Sequence, residues 1–341
     1  MQTPSSKIAF DKAGFYFVAL VIIALLGFWQ RYFSELVAGT SDHAFTFHFH
    51  AVMVSLWLTL LIVQPILIRK KKFSIHRAVG RSSYVVMPLL ILSVLMIQHY
   101  EGSVYPDWGL NFLDIMNGGG IIELVVFYAI AIAYRRNTRI HARAMIATGI
   151  FMIEPAYHRF LVYVLELDLS KLFLVSQTSM TLLLGTLIFM ERKQTGGRWV
   201  FPLALCMYWI FALLGNQRIP FVDPAFGKWF IKLPLTSVPA IILRDLPIQQ
   251  NEMDLYTGEW RDPFNTTTQT YKKDNQLWAR WKQMDTVDSS RMLYQGNGKF
   301  ILEKYKQVPI SFNFHAKDGK PEIFNLYHAF TGRMGHTRRV K

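Results

Sequence analysis

Seven apolar segments of this chain are long enough, or nearly long enough, to cross the hydrocarbon core of a bilayer. They run over residues 14–30, 45–68, 83–99, 112–134, 144–166, 171–190 and 199–216. The first follows a polar start without a small-residue cleavage site, which favours a retained helix over a signal peptide. Backbone groups in lipid must be satisfied within the segment, so such segments form helices. The sequence therefore predicts an all-α transmembrane bundle of seven helices over residues 1–216.

Basic residues between these segments are distributed unevenly. Fifteen lie on one side, in Lys7, Lys12 and the loops RKKKFSIHRAVGR, RRNTRIHAR and ERKQTGGR. Three lie on the other side: Arg31, Arg159 and Lys171. Because basic loops stay in the cytoplasm, we expect a cytoplasmic N-terminus and, after seven crossings, an exported C-terminal part. The expected location is a bacterial plasma membrane, with the C-terminal domain periplasmic or extracellular.

The formal net charge of +14 does not indicate a nucleic-acid partner. The basic residues of the first part lie between apolar segments, where orienting the protein in the membrane accounts for them. The expected partner is the lipid bilayer. The single cysteine, Cys206, excludes a disulfide framework and any Cys-rich metal or iron–sulfur site.

After residue 216 the composition changes. Residues 217–252 are rich in proline and partly apolar, which indicates a connector lying on the membrane or against the bundle, or a simple linker. From residue 253, apolar and polar residues alternate in QLWARWK and VPISFNF, and KDNQ, QGNG, KDGK and TGRMG provide turns. Seven or eight short strands of this kind predict a small all-β antiparallel barrel or curled sheet over residues 253–341.

The stretches LYTGEW, QLWARW, MLYQGNGKFIL and VPISFNFHAKDGKPEIF resemble a family of small β-domains. Those domains are appended to bacterial serine β-lactamase-like proteins. The resemblance implies an extracytoplasmic accessory domain without catalytic residues, which would be the contact for any protein partner.

Ionisable residues inside the apolar segments are functional candidates, because burying them in lipid is costly. His48 and His50 are two residues apart, about 200° around a helix, so they cannot face one site unless the helix starts between them. His50 shares a face with His43, Trp57 and Gln64 through a seven-residue spacing. We therefore expect His50 to point into the bundle and His48 to lie at the membrane surface.

A second group of candidates lies in the fourth and fifth segments. Glu154 and His158 are four residues apart on one helical face, a spacing found in carboxylate–imidazole metal sites of bundles. Glu123 follows the run Asn117–Gly120, where helices could approach closely. Mixed imidazole and carboxylate ligands suit zinc or iron, so the candidate metal ligands are His50, Glu123, Glu154 and His158.

A third group lies at the basic ends of two helices. The stretches SIHRAVGRSSYVVMP and RIHARAMIATGIFMIEP both place Ile-His before arginine and an apolar helix, as in tandem hairpin repeats. The pairs His76–Arg77 and His141–Arg143 could hold an anionic group such as haem propionates, a quinone head or lipid phosphate.

The order H-F-H, H-R-x-x-G-R and H-A-R-x-M resembles a family of bacterial multi-pass membrane proteins whose activity the motifs do not name. The layout is also similar to transmembrane b-type cytochromes. That resemblance implies haem b held by His50 and His158 near one surface and by His76 and His141 near the other. The chain departs from that pattern because His76 and His141 lie at helix starts beside arginine.

Four hypotheses follow from the sequence. The first is electron transfer through haem or quinone. The second is a metal-dependent enzyme acting on lipid, although the last segment lacks the paired histidines of membrane metal hydrolases. The third is a receptor or assembly subunit with an outward β binding module. The fourth is transport with Glu123 and Glu154 relaying protons, although the last two segments lack buried charges and no inverted repeat is present.

Overall fold

The protein is mostly helical and ends in a β-barrel. A computed structural model describes residues 13–38, 43–104, 115–167, 169–194, 196–216, 224–237, 243–262, 266–283, 286–305, 310–317, 319–328 and 332–340. The chain divides into two compact units. Residues 1–28, 45–164 and 172–237 form the helical unit, and residues 29–44, 165–171 and 238–341 form the barrel unit.

Seven long helices of the described residues coincide with the seven predicted segments. In chain order, all the helices are α1 (Ala13–Phe28), α2 (Ser34–Ala38), α3 (Phe45–Arg69), α4 (Phe73–Gly80), α5 (Ser83–Val104), α6 (Ile115–Ala133), α7 (Thr138–Tyr163), α8 (Leu169–Glu191), α9 (Val200–Asn216), α10 (Pro224–Phe230) and α11 (Gln250–Tyr256). A π-helical turn, Trp29–Phe33, joins α1 to α2. Helix α7 begins before its predicted segment because Asn137 caps it, accepting a hydrogen bond from the Ile140 N–H.

Three stretches are long and apolar enough to cross a membrane by length and composition: Phe45–Arg69, Phe73–Ser103 and Lys171–Glu191. Helix α1 and the apolar parts of α6 and α9 are shorter than 18 residues, and α7 carries Arg139, Arg143, Glu154 and Arg159. The prediction of seven membrane-spanning helices is therefore supported only in part. Among the described residues, three stretches meet the criteria of both length and apolar composition. Only 28%, 22% and 22% of their most apolar windows is buried, so most of these side chains face outward, which is compatible with a membrane location.

Small residues bring several helices into close contact. A Cβ on Gly27 of α1 would lie 2.3 Å from the Ala156 carbonyl oxygen of α7, and one on Gly14 would lie 2.8 Å from that of Ile62 on α3. Helix α6 approaches α9 in the same way, because a Cβ on Gly119 would lie 2.7 Å from the Phe211 ring. Close backbone approach of this kind is how helices pack without a hydrophobic driving force.

The barrel unit contains eight antiparallel strands that close into a barrel, with each strand beside its sequence neighbours and β1 beside β8. They are β1 (Gly258–Arg261), β2 (Thr267–Lys273), β3 (Gln276–Gln283), β4 (Thr286–Gly296), β5 (Lys299–Leu302), β6 (Ile310–Lys317), β7 (Lys320–His328) and β8 (Gly332–Arg339). Inward-facing aromatic rings form its core, with Trp260 and Phe324 having centroids 5.3 Å apart. The predicted antiparallel barrel is confirmed.

Three of the four predicted turns join consecutive strands. Asp274 and Asn275 both have positive φ between β2 and β3, as a two-residue hairpin turn requires. Glycines with positive φ also stand in the QGNG and KDGK turns, at Gly296, Gly298 and Gly319. The prediction of a turn at TGRMG is wrong from Gly332 onward, because those residues pair with β7 through a register shift near Leu326.

Candidate functional site

Polar side chains from four helices meet inside the helical unit. Glu123 of α6, Glu154 of α7, Gln177 of α8 and Tyr208 of α9 line a cavity of about 30 Å³, together with Gly120, Phe211 and Ala212. A volume of this size accepts one or two water molecules. We call these four polar side chains the polar cluster.

Three oxygen atoms of the polar cluster have no hydrogen-bond partner among the described residues. They are Glu123 Oε1, Gln177 Oε1 and the Tyr208 hydroxyl, and their side chains are 3%, 5% and 3% exposed. The Tyr208 hydroxyl is near Glu154 and Ser176 but makes no well-formed hydrogen bond to either. Gln177 Oε1 only accepts hydrogen bonds, and so does Glu123 Oε1 unless the Glu123 carboxyl group is protonated. The group that would satisfy them is therefore a proton, a water molecule or a small cation.

The sequence places Glu123 at this position through helical spacing. Gly119 allows α6 to lie against Phe211 of α9, and Glu123 follows one turn later on the same face. Its carboxyl group is also within electrostatic range of Glu154. The structure thus brings together two of the four candidate metal ligands, Glu123 and Glu154.

His158 extends the polar cluster toward α8. Its Nε2 lies 3.8 Å from Glu154 Oε1 and is hydrogen-bonded to the buried Ser176 hydroxyl. One position earlier, the Tyr157 hydroxyl donates to Ser179 Oγ at 2.8 Å. These contacts connect α7 to α8 by polar groups, and they occupy the ring nitrogen through which His158 would bind a metal or haem.

His50 has a separate partner. Its Nδ1 lies 3.0 Å from Ser93 Oγ, and the Ser93 hydroxyl donates to the Leu90 carbonyl at 2.6 Å. Because the Ser93 proton is thus used, Nδ1–H of His50 is the donor, and neutral His50 carries its lone pair on Nε2. Ser93 is fully buried, which agrees with the prediction that this face of α3 points into the bundle.

The histidines at the basic ends of α4 and α7 lie near each other. His141 Nδ1 donates to the Ala131 carbonyl at 2.9 Å, and His141 lies within electrostatic range of His76. With its amide assigned from the surrounding hydrogen bonds, Gln64 donates to Nδ1 and the carbonyl of His76 and accepts from the Gly80 N–H at 2.9 Å. The seven-residue stripe on α3 therefore ends in a contact with α4.

The two arginines of the predicted His–Arg pairs lie in different environments. Arg77 is exposed on α4. Arg143 is fully buried, and its Nε and Nη2 donate to the Glu191 carboxylate of α8, the former at 2.6 Å. Its Nη1 donates to the Arg139 carbonyl at 2.7 Å. The Arg143 guanidinium is therefore engaged within the protein, so an anionic ligand would have to displace Glu191.

Two further histidines, His48 and His99, differ in burial, and His48 was expected at the membrane surface. His48 is half-buried. His99 is only 2% exposed, and its Nδ1 lies 2.6 Å from Thr236 Oγ1. The ring also meets Phe230 of α10 edge-on at 5.4 Å. Phe230 and Thr236 of the proline-rich stretch therefore lie against His99 near the end of α5.

Several residues of the site were not identified from the sequence. Gln177 and Ser176 belong to the run SQTS in an otherwise apolar segment, and Tyr208 lies in the last segment. These three side chains carry no charge, and uncharged polar groups in lipid also mark interhelical contacts. Glu191 was read as part of a loop, although it ends α8.

The described residues add no ligand to the metal site predicted at His50, Glu123, Glu154 and His158. Across the described ranges, no three His, Cys, Asp or Glu side chains are grouped so that they could hold a metal ion. His50 contacts Ser93, while His158 and the two glutamates lie around α7.

Comparison with family models, with curated proteins and with solved structures gave no match for this chain. The proposals below therefore depend on the geometry and chemistry of the described residues. Of these, the polar cluster combines burial, unpartnered oxygen atoms and a cavity.

Proposed function

We propose that this chain is an integral membrane protein that passes protons across the membrane through the polar cluster. The observation that supports the proposal most directly is the Glu123 carboxyl group. It is almost fully buried, one of its oxygens has no partner, and the cavity beside it is also lined by Glu154.

A buried carboxylate without a counter-charge is costly, so such a group binds a proton or a cation. Two carboxyl groups around one or two water molecules can exchange a proton through the water, because general acid–base transfer needs hydrogen-bond reach. His158 Nε2 lies 3.8 Å from Glu154 Oε1, too far for direct transfer, so it would receive the proton next through one water molecule. The relay therefore runs from Glu123 through the cavity to Glu154 and His158.

The main objection to transport was that the last two apolar segments lack buried charges. Gln177 of α8 and Tyr208 of α9 provide uncharged polar groups to the same cavity. A carbonyl oxygen and a hydroxyl can orient water without adding a charge to the membrane interior. The lack of buried charges in these segments therefore does not argue against transport, since α8 and α9 would both contribute polar groups to the relay.

The proposed topology is that α1, α3 and α5–α9 each cross the bilayer. The fifteen basic residues would then lie in the cytoplasm of a bacterial cell, and the barrel would be exported. A phosphatase fused after Lys341 should be active and one fused after Arg136 inactive, with a fluorescent-protein fusion giving the opposite pattern. Phosphatase activity at both positions would contradict this topology.

The proton proposal is tested by reconstituting the full chain into liposomes that contain a pH-sensitive dye. A potassium diffusion potential should drive proton uptake in the wild type, and Glu123→Gln and Glu154→Gln should abolish it. Glu166→Gln is the matched control, since Glu166 is exposed and outside the cavity. Uptake equal to that of empty liposomes, or uptake retained in Glu123→Gln, would refute the proposal.

Electron transfer is the second candidate, supported by the orientation of two histidines. His50 and His141 each use Nδ1–H as a donor, to Ser93 and to the Ala131 carbonyl, which is how metal-binding histidines are commonly held. A haem does not fit the cavity of about 30 Å³, so the polar cluster is not the haem site of this candidate. A reducible Soret band in the purified protein, lost in His50→Ala, would support this candidate.

A further inference from the structure

One surface of the helical unit carries basic side chains without carboxylate partners. It consists of the α3–α4 turn, α4 and the α6–α7 turn, and we call it the basic end. Its exposed cations are Lys70, Lys71, Lys72, Arg77, Arg81, Arg135 and Arg136. No ion pair joins any of them to a carboxylate within the described ranges. Moreover, residues 43–100 and 124–153 contain neither Asp nor Glu, so their own segments supply no counter-charge.

The two parts of the basic end are held together by contacts between helices. The Tyr128 hydroxyl of α6 lies 3.1 Å from Ser83 Oγ at the start of α5, and the Ser83 hydroxyl donates to the Gly80 carbonyl at 2.7 Å. Val79 of α4 packs in the same hydrophobic cluster as Met145 of α7. The α3–α4 turn and the α6–α7 turn therefore form one surface.

Helix α4 has the composition of a helix lying in the membrane interface. Its Phe73 and Ile75 are 49% and 44% exposed, while Arg77 on the same short helix is exposed to solvent. The helix also lies directly between α3 and α5, whose apolar stretches are of membrane-spanning length. Exposed apolar residues beside cations are typical of helices that bind an anionic membrane surface.

We propose that the basic end binds the phosphate head group of an anionic phospholipid between α4 and the α6–α7 turn. Arg77 and Arg81 would hold the phosphate oxygens, since guanidinium groups match phosphate geometry. Phe73 and Ile75 would contact the upper part of the acyl chains. This site is independent of the proton relay.

The occupant is a lipid and not a soluble anion, because exposed cations and exposed apolar side chains lie together on the α3–α4 turn and α4. A soluble phosphate would use the arginines and leave Phe73 and Ile75 uncovered. A phospholipid satisfies the charges and the apolar surface together. The head group must be anionic, since a zwitterionic one brings its own cation to an already basic surface.

The test is a titration of the full-length protein, in mixed phosphatidylcholine micelles, with phosphatidylglycerol, followed by thermal unfolding. We expect Arg77→Gln/Arg81→Gln to weaken the apparent affinity by about 30-fold, since each basic residue near an anionic surface contributes a factor of about five. The matched control is Lys193→Gln/Arg198→Gln, which removes two exposed cations from the α8–α9 turn. It should leave the affinity within about threefold, less than the loss of a single such residue.

Three results would overturn the proposal. Equal weakening by both double variants would mean diffuse attraction of lipid to all basic loops. No preference of the wild type for phosphatidylglycerol over phosphatidylcholine would mean that no anionic lipid site exists. Equal stabilisation by inorganic phosphate at the same concentration would mean that the site does not use the acyl chains. Because Arg77 and Arg81 are exposed, their substitution should preserve the fold, which circular dichroism checks.

Discussion

Arg143 and Glu191 form an ion pair between α7 and α8 in which both side chains are almost fully buried, with 0% and 1% exposed. The guanidinium donates twice to one carboxylate oxygen and once to the Arg139 carbonyl. Gly197, with a φ of +75°, allows the α8–α9 turn to cover the pair, because a Cβ there would lie 3.2 Å from Arg143 Nη1. The pair fixes the ends of α7 and α8, the two helices that also share the His158–Ser176 contact.

Removing one partner of this pair should destabilise the protein strongly. Glu191→Gln leaves the Arg143 charge buried without compensation, at a cost of about 3–5 kcal/mol in comparable buried pairs. The double variant Arg143→Leu/Glu191→Leu should recover part of that loss, because it buries no charge. Thermal unfolding in detergent measures both variants.

The control is Arg261→Gln, from a pair with the two side chains 51% and 50% exposed, which should change stability by less than about 1 kcal/mol. Equal losses in Glu191→Gln and Arg261→Gln would contradict the structural role of the buried pair.

Gly27 should be intolerant of any side chain. An added Cβ would lie 2.3 Å from the Ala156 carbonyl oxygen, and this backbone atom cannot move without shifting α7. We expect Gly27→Ala to destabilise by about 1–3 kcal/mol, the usual cost of overpacking.

Gly185→Ala on α8 is the matched control, since no atom lies within 4 Å of its added Cβ. It should be neutral or stabilising by up to about 1 kcal/mol through helix propensity. Compared by thermal unfolding, Gly27→Ala should therefore be clearly less stable than Gly185→Ala, and equal effects would contradict the close approach of α1 and α7.

The barrel should lose stability at high pH through Tyr256. Its ring packs against Phe300 and Phe314 at 4.9 and 5.1 Å, and burial, followed by the nearby Tyr294 and Glu252, raises its pKa to about 12. A raised pKa means that the unfolded chain releases this proton first. The stabilising contribution is therefore complete below pH 10 and is lost as the pH rises toward 12, at a cost on the order of 2 kcal/mol.

Urea unfolding of the wild type and of Tyr256→Phe at pH 7 and at pH 11.5 tests this prediction. The stability difference between the two proteins should shrink or reverse at the higher pH, because only the wild type contains the titrating phenol. A difference that is the same at both pH values would mean that Tyr256 does not titrate in this range.

The helix positions and the barrel followed from local patterns in the sequence. Apolar runs marked seven helices, and residues such as Asp274 and Asn275, both with positive φ, marked a hairpin turn that depends on those residues alone. The seven-residue spacing also identified the inward face of α3, where His50 meets Ser93. Patterns of this kind are local, so they do not depend on which helices become neighbours.

The polar cluster could be predicted only in part, because it depends on helix contacts. Glu123, Glu154 and His158 were identified by their charge, but Gln177 and Tyr208 join them only because α8 and α9 pack beside α6 and α7. Arg143 shows the opposite case, since its sequence position beside His141 suggested a ligand site and its partner is Glu191, 48 residues away. No spacing rule within one helix contains that information.

The infrared spectrum of the full-length protein gives a direct test of the proton that Glu123 is proposed to carry. A protonated carboxyl group has a C=O stretching band that a carboxylate lacks, and a proton on Glu123 would satisfy the unpartnered Oε1 in a site that is 3% exposed. We expect this band at neutral pH in the wild type, its loss in Glu123→Gln, and its retention in the exposed Glu166→Gln control. Tyr208→Phe should shift the band without removing it, because the hydroxyl shares the cavity with Glu123. An absent band in the wild type would mean that the Glu123 carboxyl group holds a cation in place of a proton. In that case, adding sodium ions should raise the thermal stability of the wild type but not that of Glu123→Gln.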